Sequence, residues 1–132
     1  MSTFHLKVLT ADRTFFDGEA DRVIVRTTQG DVGILPGHVR YLAALGVGGL
    51  TIKSNGTSRV AAVSGGFVEV APEGTTILAR TCEWADEIDL NRAREAQERA
   101  QALLHQQLSG READVAQLRL KKAVNRIRVA QK

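Results

Sequence analysis

Cysteine is almost missing from this chain of 132 residues. Cys82 stands alone, so no intramolecular disulfide can form, and the chain fits a reducing compartment. Long apolar runs are missing as well. The stretch "YLAALGVGGL" is about half the ~20 residues that a spanning helix requires and is interrupted by glycine, so no transmembrane segment is expected. The opening "MSTFHLKVLT" has neither a basic n-region nor an apolar h-region, so no signal peptide is expected. Catalytic signatures are equally scarce. There is no G-x-x-x-x-G-K-[ST] loop, and "GVGG" at 46–49 lacks the spacing and strand-to-helix context of a dinucleotide fingerprint. His5, His38 and His105 have no metal-ligand spacing with one another or with Cys82, so no metal is assigned to side chains. Ser64 in "AVSGGF" is not a nucleophile elbow, and Glu83, Asp86 and Glu87 beside Cys82 disfavour a thiolate. No catalytic residue is assigned, and the chain alone is not expected to be an enzyme.

What is present divides into two parts after Trp84. Eleven of the twelve glycines, both prolines and all six aromatic residues lie in 1–84. That part reads as short alternating or β-branched runs: "FHLKVLT", "RVIVRTT", "VGIL", "YLAAL", "LTIKS", "RVAAVS", "FVEVA" and "TTILART". Strands recurring every 8–12 residues or so predict a β-sandwich or flattened barrel. Asn55-Gly56 predicts a two-residue type I′ hairpin turn, and the glycine pairs 48–49 and 65–66 predict bulges or sharp corners.

From residue 85 the period changes. Ala93, Ala96, Ala100, Leu103 and Gln107, then Ala113, Ala116, Leu120, Ala123, Ile127 and Ala130, follow the 3-4 spacing of two amphipathic helices. The run "LSGRE" supplies a break at Gly110, and so short a connection predicts an antiparallel hairpin. The fold class is therefore mainly β plus α, with an N-terminal β-sandwich (1–84) followed by a C-terminal antiparallel two-helix hairpin (85–132). Its alanine seam buries little apolar area, worth roughly 25 cal/mol per Å², so the hairpin should rearrange more easily than the sandwich.

Charge is distributed just as unevenly. Residues 1–84 carry eight basic and eight acidic side chains, 85–110 three and five, and 111–132 seven and two. The excess of positive charge sits in the last 22 residues. A basic helix of this kind is a solvated face, or it meets an acidic protein, a phosphate ligand or nucleic acid. No aromatic residue is available in the hairpin to stack on bases and no nucleic-acid module is present, which weighs against nucleic acid.

Arg92 and Arg99 lie two turns apart on the first helix, and Lys122 and Arg126 are stacked on the second. With the turn near 109–111, residue 92 falls opposite about 127 and residue 99 opposite about 121, so the four cations share an edge. Two readings fit. The first is intrahelical pairing, Asp89 with Arg92 and Glu95 with Arg99, at about 0.2–0.5 kcal/mol per pair, with Asp89 otherwise an N-cap worth about 1 kcal/mol. The second is a polyphosphate gripped between the helices by arginine forks. Spacing alone does not decide between them.

The runs "GDVGILPGH" (30–38), "AVSGGFVEV" (62–70), "TILA" (76–79) and "EWADEIDLNRA" (83–93) resemble the epsilon subunit of bacterial rotary ATP synthases, in order and over essentially the whole chain. The resemblance implies a β-sandwich bound to the gamma subunit of the central stalk and resting on the c-ring, peripheral on the cytoplasmic face of the plasma membrane. It also implies a hairpin that inhibits ATP hydrolysis when it extends along gamma toward the alpha and beta catalytic subunits. Family members with [IL]-D-x-x-R-A at the first helix bind ATP, and this chain reads Ile88-Asp89-Leu90-Asn91-Arg92-Ala93. By that resemblance Ile88, Asp89 and Ala93 frame the adenosine, Arg92 reaches the nucleotide, and Glu83 approaches from the sandwich side. Arg99, Lys122 and Arg126 then face the phosphates, with Mg²⁺ as a possible companion of ATP. Relatives tend to have arginine where this chain has Lys122, which keeps the charge and loses the bidentate fork. Relatives usually have proline in place of Arg40. Asp31 and His38 are expected in loops that contact the c-ring or gamma. A stand-alone ATP-sensing module is the alternative to the stalk subunit.

Overall fold

The computed structural model describes residues 2–37, 39–106 and 108–131. The chain divides into two compact units, Met1–Trp84 and Ala85–Lys132. In the first lie seven strands: β1 (Phe4–Leu9), β2 (Thr14–Ala20), β3 (Arg22–Thr27), β4 (Gly30–Ile34), β5 (Tyr41–Ser54), β6 (Thr57–Ala71) and β7 (Gly74–Trp84). They hydrogen-bond in the order β2-β1-β7-β6-β5-β3-β4 and form a β-sandwich around one apolar core. Neighbours are antiparallel except β1 beside β7. Alternation builds that core directly. Leu6 and Val8 of β1, Val23 and Val25 of β3, and Ile77 and Ala79 of β7 point inward at every second position and are buried.

Glycine decides where the long strands bend. The runs "YLAAL" and "LTIKS" are one strand, β5, and "RVAAVS" and "FVEVA" are one strand, β6, because their glycines bend the backbone without ending the pairing. Beside β3 the register slips between Val25 and Thr27, opposite Gly46–Gly49, and a β-carbon on Gly48 would overlap the Arg26 side chain. This glycine pair is a bulge. Gly65 and Gly66, by contrast, keep register with both neighbours while adopting φ of 73° and 121°, so they form a corner. Joining β5 to β6, Asn55 (φ 54°) and Gly56 (φ 76°) make the expected type I′ turn. One strand escapes the sequence reading, β2, "TFFDGEA". It pairs only with β1 at the sheet edge, where Asp17, Gly18 and Glu19 need no apolar neighbours.

Trp84 closes the sandwich. Its indole stacks on Phe15 at 4.3 Å between ring centroids and carries the Arg59 guanidinium 3.7 Å above its own centroid. Such a cation–π contact contributes about 0.5–1 kcal/mol at an exposed site.

The second unit begins with a 3₁₀ turn (Ala85–Glu87) and contains α1 (Leu90–Leu104) and α2 (Gly110–Ala130), two packed helices joined by residues 105–109. Among the described residues no helix is long and apolar enough to cross a membrane.

A β-carbon at Gly66 would overlap the Leu78 carbonyl oxygen. Gly66→Ala is therefore expected to destabilise the sandwich by at least about 2 kcal/mol, lowering Tm by about 10 °C in a melt followed by β-sheet circular dichroism. Gly33→Ala, where a β-carbon meets nothing within 4 Å, should stay within about 0.5 kcal/mol.

Candidate functional site

Both helices are started by side chains that satisfy otherwise unpaired amides. Asp89 is extended (φ −78°, ψ 99°), and its carboxylate accepts a hydrogen bond from the Arg92 backbone N–H at 3.1 Å. As the N-cap it also supplies the negative charge that the first turn of α1 lacks, since no acidic residue lies there. Ser109 caps α2: the Glu112 N–H donates to its Oγ at 3.3 Å, and that hydroxyl donates to the Glu112 carboxylate at 2.9 Å. Gly110 is thus the first residue of α2 and does not terminate α1, which ends at Leu104 with His105 as its C-cap. The connection lies a few residues earlier than the sequence indicates.

That shift alters which residues share a level. Ala93 and Ala100 are the buried residues of α1, and α2 buries Ala116, Ala123, Asn125 and Val129, its two alanines likewise seven apart. With a connection spanning 105–109, Ala100 stands at about the level of Ala116 and Ala93 at about that of Ala123. Arg92 then sits between the levels of Lys122 and Arg126, while Arg99 sits nearer 117 than 121.

Helical rotation of about 100° per residue fixes the flank each cation occupies. Arg92 and Arg99 each directly precede a buried alanine of α1, and Lys122 directly precedes buried Ala123. Arg126 follows Ala123 by three, about 60° to the same side. Antiparallel helices in contact are related by a twofold perpendicular to their axes, which keeps flanks of the same hand on one edge. All four cations therefore share an edge of the hairpin.

Intrahelical pairing does not neutralise Arg92, Arg99 or Lys122. Among the described residues, neither Asp89 with Arg92 nor Glu95 with Arg99 forms a side-chain ion pair, and Arg92, Arg99 and Lys122 make no side-chain hydrogen bond or ion pair. The carboxylate of Asp89 is directed to a backbone amide instead. Like charges at 3-4 spacing repel by about 0.2–0.5 kcal/mol per pair. An edge of this kind suits a polyanion.

The other sequence candidates fall as follows. Ile88 is half-buried at the start of the second unit, and Glu83 is half-buried in β7 of the first. Asp31 stands exposed in β4, where Arg26 Nε donates to its Oδ1 at 2.6 Å; this bond, then its charge, raises the Arg26 pKa above the ordinary value. His38 lies outside the described residues. Among the described residues no group of three or more His, Cys, Asp or Glu side chains could hold a metal. Arg119 was missed. It follows buried Ala116 by three, as Arg126 follows Ala123, and that offset was the available signal.

Comparison with known proteins covers both units. Residues 3–85 match the family described as ATP synthase, Delta/Epsilon chain, beta-sandwich domain. Residues 86–131 match ATP synthase, Delta/Epsilon chain, long alpha-helix domain. The ATP synthase epsilon chain of Ruminococcus albus is 44% identical over 133 residues, spanning 100% of this chain and 99% of that one. That of Halalkalibacterium halodurans is 45% identical over 132 residues, with 98% of each covered. Among solved structures, a chain of the Euglena gracilis mitochondrial ATP synthase superposes with a TM-score of 0.83 at 23% identity, over 93% of this chain and 78% of that one. A chain from the central stalk and c-ring of the Tetrahymena thermophila mitochondrial ATP synthase gives 0.67 at 15% identity, over 96% and 95%. At these identities the structural matches bear on the fold.

Replacing the cap by Asp89→Ala should cost α1 about 1 kcal/mol, seen as roughly fivefold faster hydrogen exchange at the amides of its first turn. Asp89→Asn keeps the acceptor and should leave that exchange within about twofold of the original protein.

Proposed function

Since the chain belongs to the ATP synthase epsilon chain family, we propose that it is the non-catalytic rotor subunit joining gamma to the c-ring in proton-driven ATP synthesis. In this reading it sits peripherally on the cytoplasmic face of the plasma membrane. Its hairpin inhibits ATP hydrolysis in an extended state, and bound ATP favours the folded state. The observation that carries the ATP part is the shared edge of Arg92, Arg99, Lys122 and Arg126, on which, among the described residues, the side chains of Arg92, Arg99 and Lys122 make no hydrogen bond or ion pair.

The donor set fits a nucleotide triphosphate. Arg92, Arg99 and Arg126 offer planar forks suited to phosphate oxygens, and Lys122 offers a point charge. Ile88, Asp89 and Ala93, at the start of α1, are where the adenosine is assigned, so the phosphates run from there along the edge. Glu83 is assigned to the nucleotide from the sandwich. Any Mg²⁺ accompanying ATP would be held through its phosphates.

Coupling follows from differential affinity. A ligand that needs both helices side by side binds the folded hairpin and not an extended one, and shifts the population by RT ln(1 + [L]/Kd). At low ATP the hairpin extends, and residues 111–132, with seven basic and two acidic side chains, meet acidic surface on the alpha and beta subunits. Inhibition is then applied.

The sandwich supplies surface for a protein partner. Phe67 pairs with Ala44 on β5 and with Leu78 on β7, and Leu42 lies two residues from Ala44 on the same face. Leu42, Phe67 and Leu78 are 69%, 57% and 51% exposed, a contiguous apolar strip of the kind that marks an interface. We assign it to gamma. Leu35 and Val39, also exposed, flank the loop that follows β4, and with Asp31 they form the surface assigned to the c-ring.

Calorimetry with ATP should show Arg92→Ala and Arg126→Ala each weakening binding about tenfold or more; unchanged affinity in both returns these residues to ordinary helix surface. Deleting residues 86–132 should raise ATP hydrolysis by the assembled complex, and an unchanged rate would remove the inhibitory role. Phe67→Asp should weaken binding to gamma by at least about tenfold. A chain that fails to bind gamma at micromolar concentration would instead be a stand-alone ATP sensor.

A further inference from the structure

α2 presents one more cation to the shared edge than the nucleotide reading uses. Arg119 lies three residues beyond buried Ala116, the offset that separates Arg126 from buried Ala123, so both arginines emerge about 60° to the same side of the seam. Arg119, Lys122 and Arg126 form a single row at i, i+3 and i+7. No acidic residue stands three or four positions from any of the three. Arg119 is exposed, and among the described residues its side chain makes no hydrogen bond or ion pair.

Its level matters as much as its flank. Ala100 stands at about the level of Ala116, which places Arg119 across the seam from Arg99, within about one turn. The edge therefore has two ends. Arg92, Lys122 and Arg126 converge at one, beside the start of α1, and Arg99 and Arg119 face each other at the other, about two turns nearer the connection.

We propose that Arg119 is a specificity residue that, with Arg99, grips the terminal phosphate of a bound nucleoside triphosphate and so separates tri- from diphosphate. This rests on the ATP reading above, which sets the adenosine at the start of α1. Phosphates leaving that end reach the Arg99–Arg119 end last, so a diphosphate stops short of it. The fork that Lys122 lacks is restored one turn away.

The experiment is calorimetry on the full chain with ATP and with ADP, comparing the original protein with Arg119→Ala, Arg119→Lys, Lys121→Ala and Arg126→Ala. Lys121 is the charge control, since it precedes Ala123 by two and faces about 160° away. Far-ultraviolet circular dichroism of each variant reports helix content. Arg119→Ala should weaken ATP about tenfold and ADP less than about twofold, with Arg119→Lys between and Lys121→Ala near the original. Arg126→Ala should weaken both nucleotides. The proposal is overturned if Arg119→Ala leaves ATP affinity intact while Arg126→Ala lowers it, if both nucleotides weaken equally, or if Lys121→Ala has the same effect. Unchanged affinity in Arg126→Ala as well overturns the nucleotide reading together with this one.

Discussion

Two helices whose buried residues are four alanines, Asn125 and Val129 stay together only if little else pushes them apart. α1 buries two of its fifteen residues, both alanine, and each methyl-sized group removed from water contributes about 0.8 kcal/mol. Ordering one residue costs about 1–2 kcal/mol in backbone entropy alone. Cations on a shared edge add repulsion to a seam already thin. Caps at Asp89 and Ser109 restore about 1 kcal/mol each, but they secure each helix separately and do nothing across the seam. In the proposed function, a ligand that neutralises that edge favours the paired hairpin.

In that proposal the thin seam joins structure to regulation. A rigid seam of leucines would hold the hairpin closed whatever occupied the edge, and a ligand would report nothing. With a weak seam, a polyanion that touched both helices would contribute a large share of the pairing free energy, and its concentration would set the population. The sandwich is built the opposite way. Its buried aliphatic core and the Arg59–Trp84–Phe15 stack hold the strands up to the residue where the helical unit begins. One unit is suited to fixed attachment, the other to change.

Much of this is legible in the chain. Alternation marks six of the seven strands, Asn55-Gly56 marks its turn, and the switch from a period of two to one of 3.6 after Trp84 marks the helices. The failures have physical causes. The glycine pairs 48–49 and 65–66 mark the expected bulge and corner, but the runs on either side of them read as separate strands, although the ladder runs through. β2 is polar because an edge strand faces solvent. Gly110 looks like a helix stop, whereas a serine before it and a glutamate after it make it a start. Arg119 was within reach of the sequence, since Ala116 stands in the seam pattern and Arg119 follows it by three; the packed hairpin buries Ala116 and leaves Ala113 only half-buried, which fixes the flank. That the two intrahelical pairs are not made also needed the structure, where the Asp89 carboxylate is engaged by an amide and Glu95 is not paired with Arg99.

The central claim is that ATP holds the hairpin together. It is tested most directly by the distance between spin labels on exposed Gln101 and Gln117, in a Cys82→Ser background within the assembled complex, with and without saturating ATP. The account predicts one short, narrow distance with ATP and a substantial long-distance population without it. Identical distributions under the two conditions would contradict it.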